Sequence, residues 1–395
     1  MATATNTLYI VALLIVAAIL TLTVLAWIWI VHKRAITLHG LEKLRELHHK
    51  PRSQLSVIIP GRNVEDWVEG CLSTLLMQRG VRGEVIFVDD GSEDGTGGLV
   101  LGSFLRKGVK YMRVGEPPAD WWGKNWACWR GFQHSSNHWL LFMDADTRLL
   151  NENVLADALA KCELEGLDAL SLIPRLDTGS LPSKIMLPLL QNILWSLFPP
   201  TRSNDPRDPT AFLFGAFILI NRRVYSEVGG HKAVRSRVLE DRALASLLKR
   251  RGYRMLLLNG SERIVAEYAG SLSGYISAIK RLVGDYAATH SLGRLKYFIT
   301  GAFIQLLLPQ IILVLAILFP SIPLLFLGAI SVALNIAANL LELRRLRVRY
   351  SLIYAPLTLL ANWVLVLSLI DSYLSVSRRR IELTWRGRRA KLAIS

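Results

Sequence analysis

Cysteine is scarce: the 395 residues hold three, Cys71, Cys128 and Cys162, far apart and with no CxxC pair. That excludes a disulfide framework and a thiolate zinc site, and it suits a reducing compartment. Charge is missing from long stretches. Residues 8–31, LYIVALLIVAAILTLTVLAWIWIV, carry none and are long enough to cross a bilayer. None occurs between Phe298 and Leu341 either, which leaves room for two spans with a turn at PSIP, 320–323. A third apolar run covers Ser351 to Ile370. Residues 1–7 lack a basic side chain and no small-residue cleavage site follows, so the first run reads as an uncleaved anchor. No internal repeat or low-complexity tract is present. With few apolar runs and a long mixed-charge stretch over 35–296, the chain reads as a membrane-tethered enzyme rather than a many-span transporter.

What the chain has in excess is positive charge, +16 net. Lys33, Arg34, Lys43, Arg45, Lys50 and Arg52 follow the first span, which by the positive-inside tendency puts the globular part in the cytoplasm. No nucleic-acid recognition motif accompanies the charge, so anionic lipid and a phosphorylated substrate account for it and nucleic acid is not an expected partner. The expected division is an anchor (1–34), a cytoplasmic catalytic domain (35–296), a C-terminal membrane region (297–377) and a basic tail (378–395). The topology carries a conflict. A hairpin over 298–341 followed by a full third span would put SRRRIELTWRGRRAK outside, with seven basic residues against one acid. Either the third run bends back near Pro356 or one member of the hairpin is not a span, and a cytoplasmic tail is expected.

From Gln54 onward short apolar runs alternate with helical patterns. LSVIIP, EVIFVDDGS, KYMRV and HWLLFMDAD read as strands, with an amphipathic helix at VEDWVEGCLSTLLMQ and others between them. This rhythm predicts an α/β fold, a mostly parallel sheet flanked by helices, with ligands beyond the carboxyl ends of its strands. Pro60 to Asn63, Asp89 to Ser92 and Asp144 to Asp146 all fall at such ends. DALSLIP is a further strand, and AFLFGAFILINRRVYSEVGG runs from strand into helix. SKIMLPLLQNILWSLFPP, 183–200, is apolar but short and interrupted by Pro188, which fits a core helix or one lying in the membrane interface.

Asp144 and Asp146, in FMDADT, project to one side of an extended chain and repel each other at neutral pH. A strand-end turn explains them, and so does a hard divalent cation that leaves coordination sites for phosphate. Asp89 and Asp90 in VDDGSEDGT could accept hydrogen bonds from a base or ribose, or simply form a polar turn. Glu240 and Asp241 open a helix, where the dipole favours acids. One of them could equally be a general base. PPADWWGKNWACWRGF holds four of the eleven tryptophans. Such a stripe is usually packing, yet Lys124 after Trp122-Gly123 is placed to meet phosphate or sugar.

In order and spacing, VIIPGRN, VDDGSEDGT, WWGK, FMDADT, GAFILINRRVYSEVGG and LEDRALASLLKRRGY resemble family 2 glycosyltransferases with a GT-A fold. The resemblance covers residues 54 to about 270. W-x-GK and the terminal WRGR, 385–388, are most similar to the membrane-bound lipid glycosyltransferases, the ceramide glucosyltransferase-like, carotenoid and hopanoid-associated branch. The resemblance implies that Asp89 and Asp90, with the Pro60, Arg62, Asn63 loop and Glu65, meet the nucleotide. It implies that Asp144 and Asp146 hold Mg2+ or Mn2+, that Asp144 and Ala145 also meet the sugar nucleotide, that Asp241 with Glu240 is the base, and that Gly215, Ala216, Phe217 and Trp122 line the acceptor side. Two departures stand out. Val64 occupies the place of the usual acid, with Glu65 one residue later. The QxxRW motif of processive synthases is replaced by AIKRL, offering Lys280 and Arg281, which suggests transfer of a single sugar.

The expected function is inverting transfer from a UDP- or GDP-sugar to a membrane lipid hydroxyl, by an integral membrane protein of the cell membrane. Lys124, Lys280, Arg281, Arg386 and Arg388 would neutralise the leaving diphosphate. A polyprenyl-phosphate sugar transferase or a polysaccharide synthase is the alternative enzyme. Outside enzymes, the alternative is a non-catalytic membrane scaffold that binds a sugar nucleotide.

Overall fold

The uncharged N-terminal run extends into one helix, α1 (Ala2–Gly40), in the computed structural model, which describes residues 2–47, 49–289, 292–378, 382–385 and 388–391. The alternating pattern that follows builds β1 (Gln54–Gly61), α2 (Glu65–Leu76), β2 (Arg82–Asp89), α3 (Thr96–Ser103), β3 (Val109–Arg113), α4 (Gly123–Gln133) and β4 (Trp139–Phe142). The next part of the chain folds as β5 (Thr147–Leu149), α5 (Val154–Glu165), β6 (Ala169–Ile173), β7 (Arg175–Leu176) and α6 (Leu181–Leu197). Then come β8 (Ile218–Asn221), α7 (Arg222–Glu227), α8 (Gly230–Ala233), α9 (Glu240–Arg250), β9 (Met255–Asn259) and β10 (Ile264–Ala266).

Seven strands form the main sheet in the order β3-β2-β1-β4-β8-β6-β9. All pairings are parallel except those of β8, which runs antiparallel to both β4 and β6. The sheet is therefore mostly parallel, as expected, with one reversed strand near its centre. β1 and β4 are buried along nearly their whole length, which is why they read as unbroken apolar runs. One face packs on α2 and α5 through Val68, Leu72, Leu155 and Leu159, the other on α4, α7 and α9 through Ala127, Val224 and Leu244. Burying each such aliphatic side chain contributes about 1.5–3 kcal/mol before chain entropy is set against it. The strand expected from Ala211 is confined to Ile218–Asn221; a turn with Phe217 N donating to Phe214 O precedes it. A second, three-stranded sheet, β5-β10-β7, lies beside the first and carries the chain away from Asp146.

The C-terminal part comprises α10 (Leu272–Thr289), α11 (Leu292–Leu306), α12 (Leu308–Leu318), α13 (Ile322–Arg345), α14 (Ser351–Ser377) and the hairpin β11 (Glu382–Trp385) and β12 (Arg388–Lys391). α1, α13 and α14 are long and apolar enough to cross a membrane, while α11 and α12 form a pair bent by 40°. The uncharged stretch thus holds one straight helix and one broken one. α6 packs among α1, α13 and α14 instead of within the sheet core, with Leu187 and Leu189 in the cluster that includes Trp27, Leu343 and Val366. Polar side chains link these helices: Asn192 Nδ2 donates to Asn339 Oδ1 at 3.0 Å, Asn339 Nδ2 donates to Thr358 Oγ1 at 3.1 Å, and Thr23 and Ser331 share a hydroxyl hydrogen bond of 2.9 Å. Such bonds orient helices where apolar burial alone does not. α14 is tied near one end to α6, with Lys184 Nζ 5.0 Å from the Tyr354 ring, and near the other to α10, through Lys280 and Asp371 at 2.7 Å.

Candidate active site

A cavity of about 670 Å³ opens beyond the carboxyl end of β4, where the chain leaves the sheet at Asp144. Asp144 N donates to Gly215 O at 3.1 Å, and Gly215 N donates to Asp241 Oδ2 at 3.3 Å. Gly215 therefore joins the acids of FMDADT to those of LEDRAL through one backbone. A side chain there would displace the site's charged groups: a Cβ would lie 2.7 Å from Lys124 Nζ and 2.8 Å from Asp144 Oδ2.

Lys124 projects from the first turn of α4 into the middle of these carboxylates. Its ammonium pairs with Asp144 at 2.7 Å and with Glu240 at 2.6 Å. α4 is held in place by Asn125, whose Nδ2 reaches the carbonyls of Val234, Arg235 and Arg237, and by Trp122 Nε1, which donates to Ser236 O. Burial works against the charge on Lys124, but Asp144, then Glu240 and Asp241, drive its pKa well above the usual lysine value. Asp241 moves the other way for an acid. Burial first, then repulsion from Glu240, raises it to about 7, against the pull of Lys124. One carboxylic acid able to hold or release a proton near neutrality thus stands beside a fixed ammonium.

The cavity collects Trp122, Lys124, Asp144, Asp146, Gly215, Ala216, Glu240, Asp241 and Arg281 from the expected residues. Ala145 and Phe217 are buried in the sheet core, so the peptide flanking them, not their side chains, faces the site. Lys280 turns away and pairs with Asp371, leaving Arg281 as the cation of AIKRL at the cavity. Pro60, Arg62, Asn63, Glu65, Asp89 and Asp90 gather at the adjoining ends of β1 and β2. There the polar atoms brace the loop after β2: Arg62 donates to the carbonyls of Asp90 and Gly91, Asn63 Oδ1 accepts from Glu93 N, and Glu65 Oε2 accepts from Gly95 N. Asp89 is fully buried and accepts from Ser92 N at 2.7 Å and Tyr111 OH at 2.6 Å. Arg388 falls in β12 and Arg386 lies outside the described residues.

Of the four tryptophans in the aromatic segment, Trp122 lines the cavity, while Trp121 packs against Trp126 and Trp129. Sequence reasoning missed Trp67, Glu267, Tyr268, Ser271, Ser273, Gly274 and Ser277, all of which line it. The signal was AEYAGSLSG, an acid and an aromatic before an amphipathic helix, with Ala269 at φ 63° in the turn.

For a divalent cation, Asp144 and Asp146 present hard oxygen donors at the cavity wall. Among the described residues no group of three His, Cys, Asp or Glu side chains converges as a closed metal site. Two carboxylates fit an ion whose remaining positions are taken by phosphate and water, provided Lys124 yields its hold on Asp144.

Residues 56–229 match the model of Glycosyl transferase family 2. The 4,4'-diaponeurosporenoate glycosyltransferases of Staphylococcus aureus strains bovine RF122 / ET3-1 and USA300 are 27% identical over 210 residues, 52% of this chain and 52% of theirs. The match thus spans about half the length of these curated relatives. A mannosyltransferase from Pyrobaculum calidifontis, solved in complex with GDP-Man and Mn2+, has a similar fold: TM-score 0.50, 17% identity, over 91% of this chain and 98% of that one. Residues 56–229 therefore constitute a glycosyl transferase family 2 domain, and its mostly parallel sheet with flanking helices is a GT-A fold.

Proposed function

We propose that this chain transfers a single sugar from a nucleotide-diphosphate sugar to a lipid hydroxyl, with inversion at the anomeric carbon. One observation carries the reading. The polar cavity and the apolar cluster of the membrane helices share Trp122, Leu176, Val238, Tyr268 and Ala269, so a water-soluble donor and an apolar acceptor can meet at Asp241. The 4,4'-diaponeurosporenoate after which the relatives are named and the GDP-Man bound to the mannosyltransferase agree with such a pairing.

In this reading the donor enters from the ends of β1 and β2, and its diphosphate reaches Asp144 and Asp146. A Mg2+ or Mn2+ ion held by those two carboxylates would supply positive charge to the diphosphate. Lys124, already protonated among three acids, and Arg281 neutralise the negative charge that grows on the leaving group. Asp241 accepts the acceptor's hydroxyl proton as the oxygen attacks the anomeric carbon from the face opposite the departing diphosphate. Gly215 keeps the path between them clear. A phosphate acceptor would need no base, and the raised Asp241 favours the hydroxyl over a polyprenyl phosphate.

The basic residues after α1 support a cytoplasmic catalytic domain. β11 lies against α10, the helix that carries Arg281 to the active cavity. That contact supports a tail on the side of the catalytic domain. The domain limits near 34, 296 and 377 belong to the same proposal.

The test is to incubate membranes containing the chain with labelled UDP- and GDP-sugars, Mn2+ and total lipid, then measure organic-extractable label by thin-layer separation. Label appears with at least one donor, and Asp144→Asn abolishes it. Label that stays wholly in released free sugar, or full transfer by Asp144→Asn, contradicts the proposal.

A further inference from the structure

Beside the small sheet, at the C-terminal end of α13, lies a second, basic cavity of about 440 Å³. Its walls come from β5, β7 and the turn after α13. Register brings two of its cations together, because Val265 of β10 pairs with Arg148 on one side and Arg175 on the other. Residues side by side in adjacent strands project to one face. Arg347 completes the group from the membrane helix, and Thr74 and Thr178 add hydroxyls to the wall.

Like charges in one row destabilise a sheet unless something opposes them. Asp177 does so for Arg148, at 2.7 Å. Among the described residues Arg175 and Arg347 make no ion pair. Arg175 is held below the ordinary arginine value by partial burial and then by Arg347, against the pull of Asp177, with Arg148 adding a smaller push. Arg347 also sits at φ 60°, a left-handed conformation that helix ends usually give to glycine. A long cationic side chain kept at such a position points to a use for the charge.

The surroundings identify the ligand. Arg347 follows the last turn of α13, and the exposed Tyr350, Leu352 and Ile353 lie three to six residues beyond it, so cationic groups meet apolar surface within one short segment. If α13 crosses a bilayer, this is the depth of lipid phosphates. We propose that Arg148, Arg175 and Arg347 bind a phosphate group, that of an anionic phospholipid headgroup, at a site separate from the sugar-donor cavity. Guanidinium pairs suit phosphate because their planar N–H groups reach two oxygens at once. Arg148 stands two residues beyond Asp146 on one chain, so an occupied site would also brace the strand that leaves the active cavity.

The test follows binding by thermal melting of the full chain in neutral detergent, titrated with dioleoyl phosphatidylglycerol, with phosphate-free dioleoylglycerol, or with inorganic phosphate. Wild-type protein is stabilised by phosphatidylglycerol, and Arg175→Gln and Arg347→Gln each weaken the apparent affinity on the order of tenfold. Arg79→Gln, which removes a surface cation elsewhere, leaves it unchanged. Arg347 is exposed, so its variant carries the test if Arg175→Gln fails to fold. Equal stabilisation by inorganic phosphate, with the same loss in the variants, supports the phosphate site and makes its ligand soluble. Equal stabilisation by dioleoylglycerol, or unchanged phosphatidylglycerol affinity in both arginine variants, overturns the proposal.

Discussion

Replacing Lys124 by methionine removes one cation from the middle of three carboxylates, and the structure sets the size and the pH dependence of the consequence. The lysine side chain is 19% exposed, and its partners Asp144 and Glu240 are 31% and 9% exposed, so solvent screens these pairs weakly. Removing one partner of a buried pair costs about 3–5 kcal/mol when the other charges stay in place. Here they need not stay. Without Lys124, the charge that pulls it down, the folded-state pKa of Asp241 rises further above its unfolded value. A raised carboxylate destabilises little below its unfolded pKa, and the penalty grows as pH climbs toward the folded value. The variant should therefore lose about 3 kcal/mol at pH 8, a fall in Tm of roughly 5 °C, and much less at pH 5.5. Thermal unfolding of the full chain in detergent across that range measures it. A deficit that is the same at every pH, or no deficit at all, would refute the idea that the acids are assembled around this ammonium.

Two further outcomes follow from the same geometry. Asp241, raised to about 7, is a base only when deprotonated, so the transfer rate should fall about tenfold per pH unit below neutrality and level off above it; a rate flat from pH 5.5 to 8 would assign the proton elsewhere. Gly215→Ala places a methyl 2.7 Å from Lys124 Nζ and 2.8 Å from Asp144 Oδ2, atoms able to swing aside. Transfer should drop about a hundredfold with a smaller Tm change than in Lys124→Met, read from one preparation by rate and melting.

Much of the fold was legible because periodicity is local. The apolar runs of β1, β2 and β4 and the spacing of Val68, Leu72 and Leu75 in α2 state their structure without neighbours. The acids at the strand ends were legible for the same reason. The small sheet was not: β5, β7 and β10 are two or three residues long, and only pairing across distant chain segments makes them strands. The break at Leu307 is likewise tertiary, lying in a stretch with no charge to mark it. Within the site, Lys124 was expected to meet phosphate, and nothing in WWGKNW shows that Asp144 and Glu240 hold it from both sides. Arg62, Asn63 and Glu65 are expected donor contacts, and nothing in PGRNVE shows that they also hydrogen-bond to residues 90–95. Tyr268 and Glu267 went unnoticed because their loop has no periodic signature. Lys280 and Arg281 are adjacent in sequence, but one helical step of about 100° sends one to Asp371 and the other to the cavity.

The central claim, that Asp241 handles the nucleophile while Asp144 and Asp146 serve the donor, comes down to the transfer rate of Asp241→Asn measured beside its donor affinity. Transfer should be slower by at least about a thousandfold, the order of magnitude for a lost general base, with donor Kd within about threefold of wild type. Transfer at the wild-type rate would contradict it.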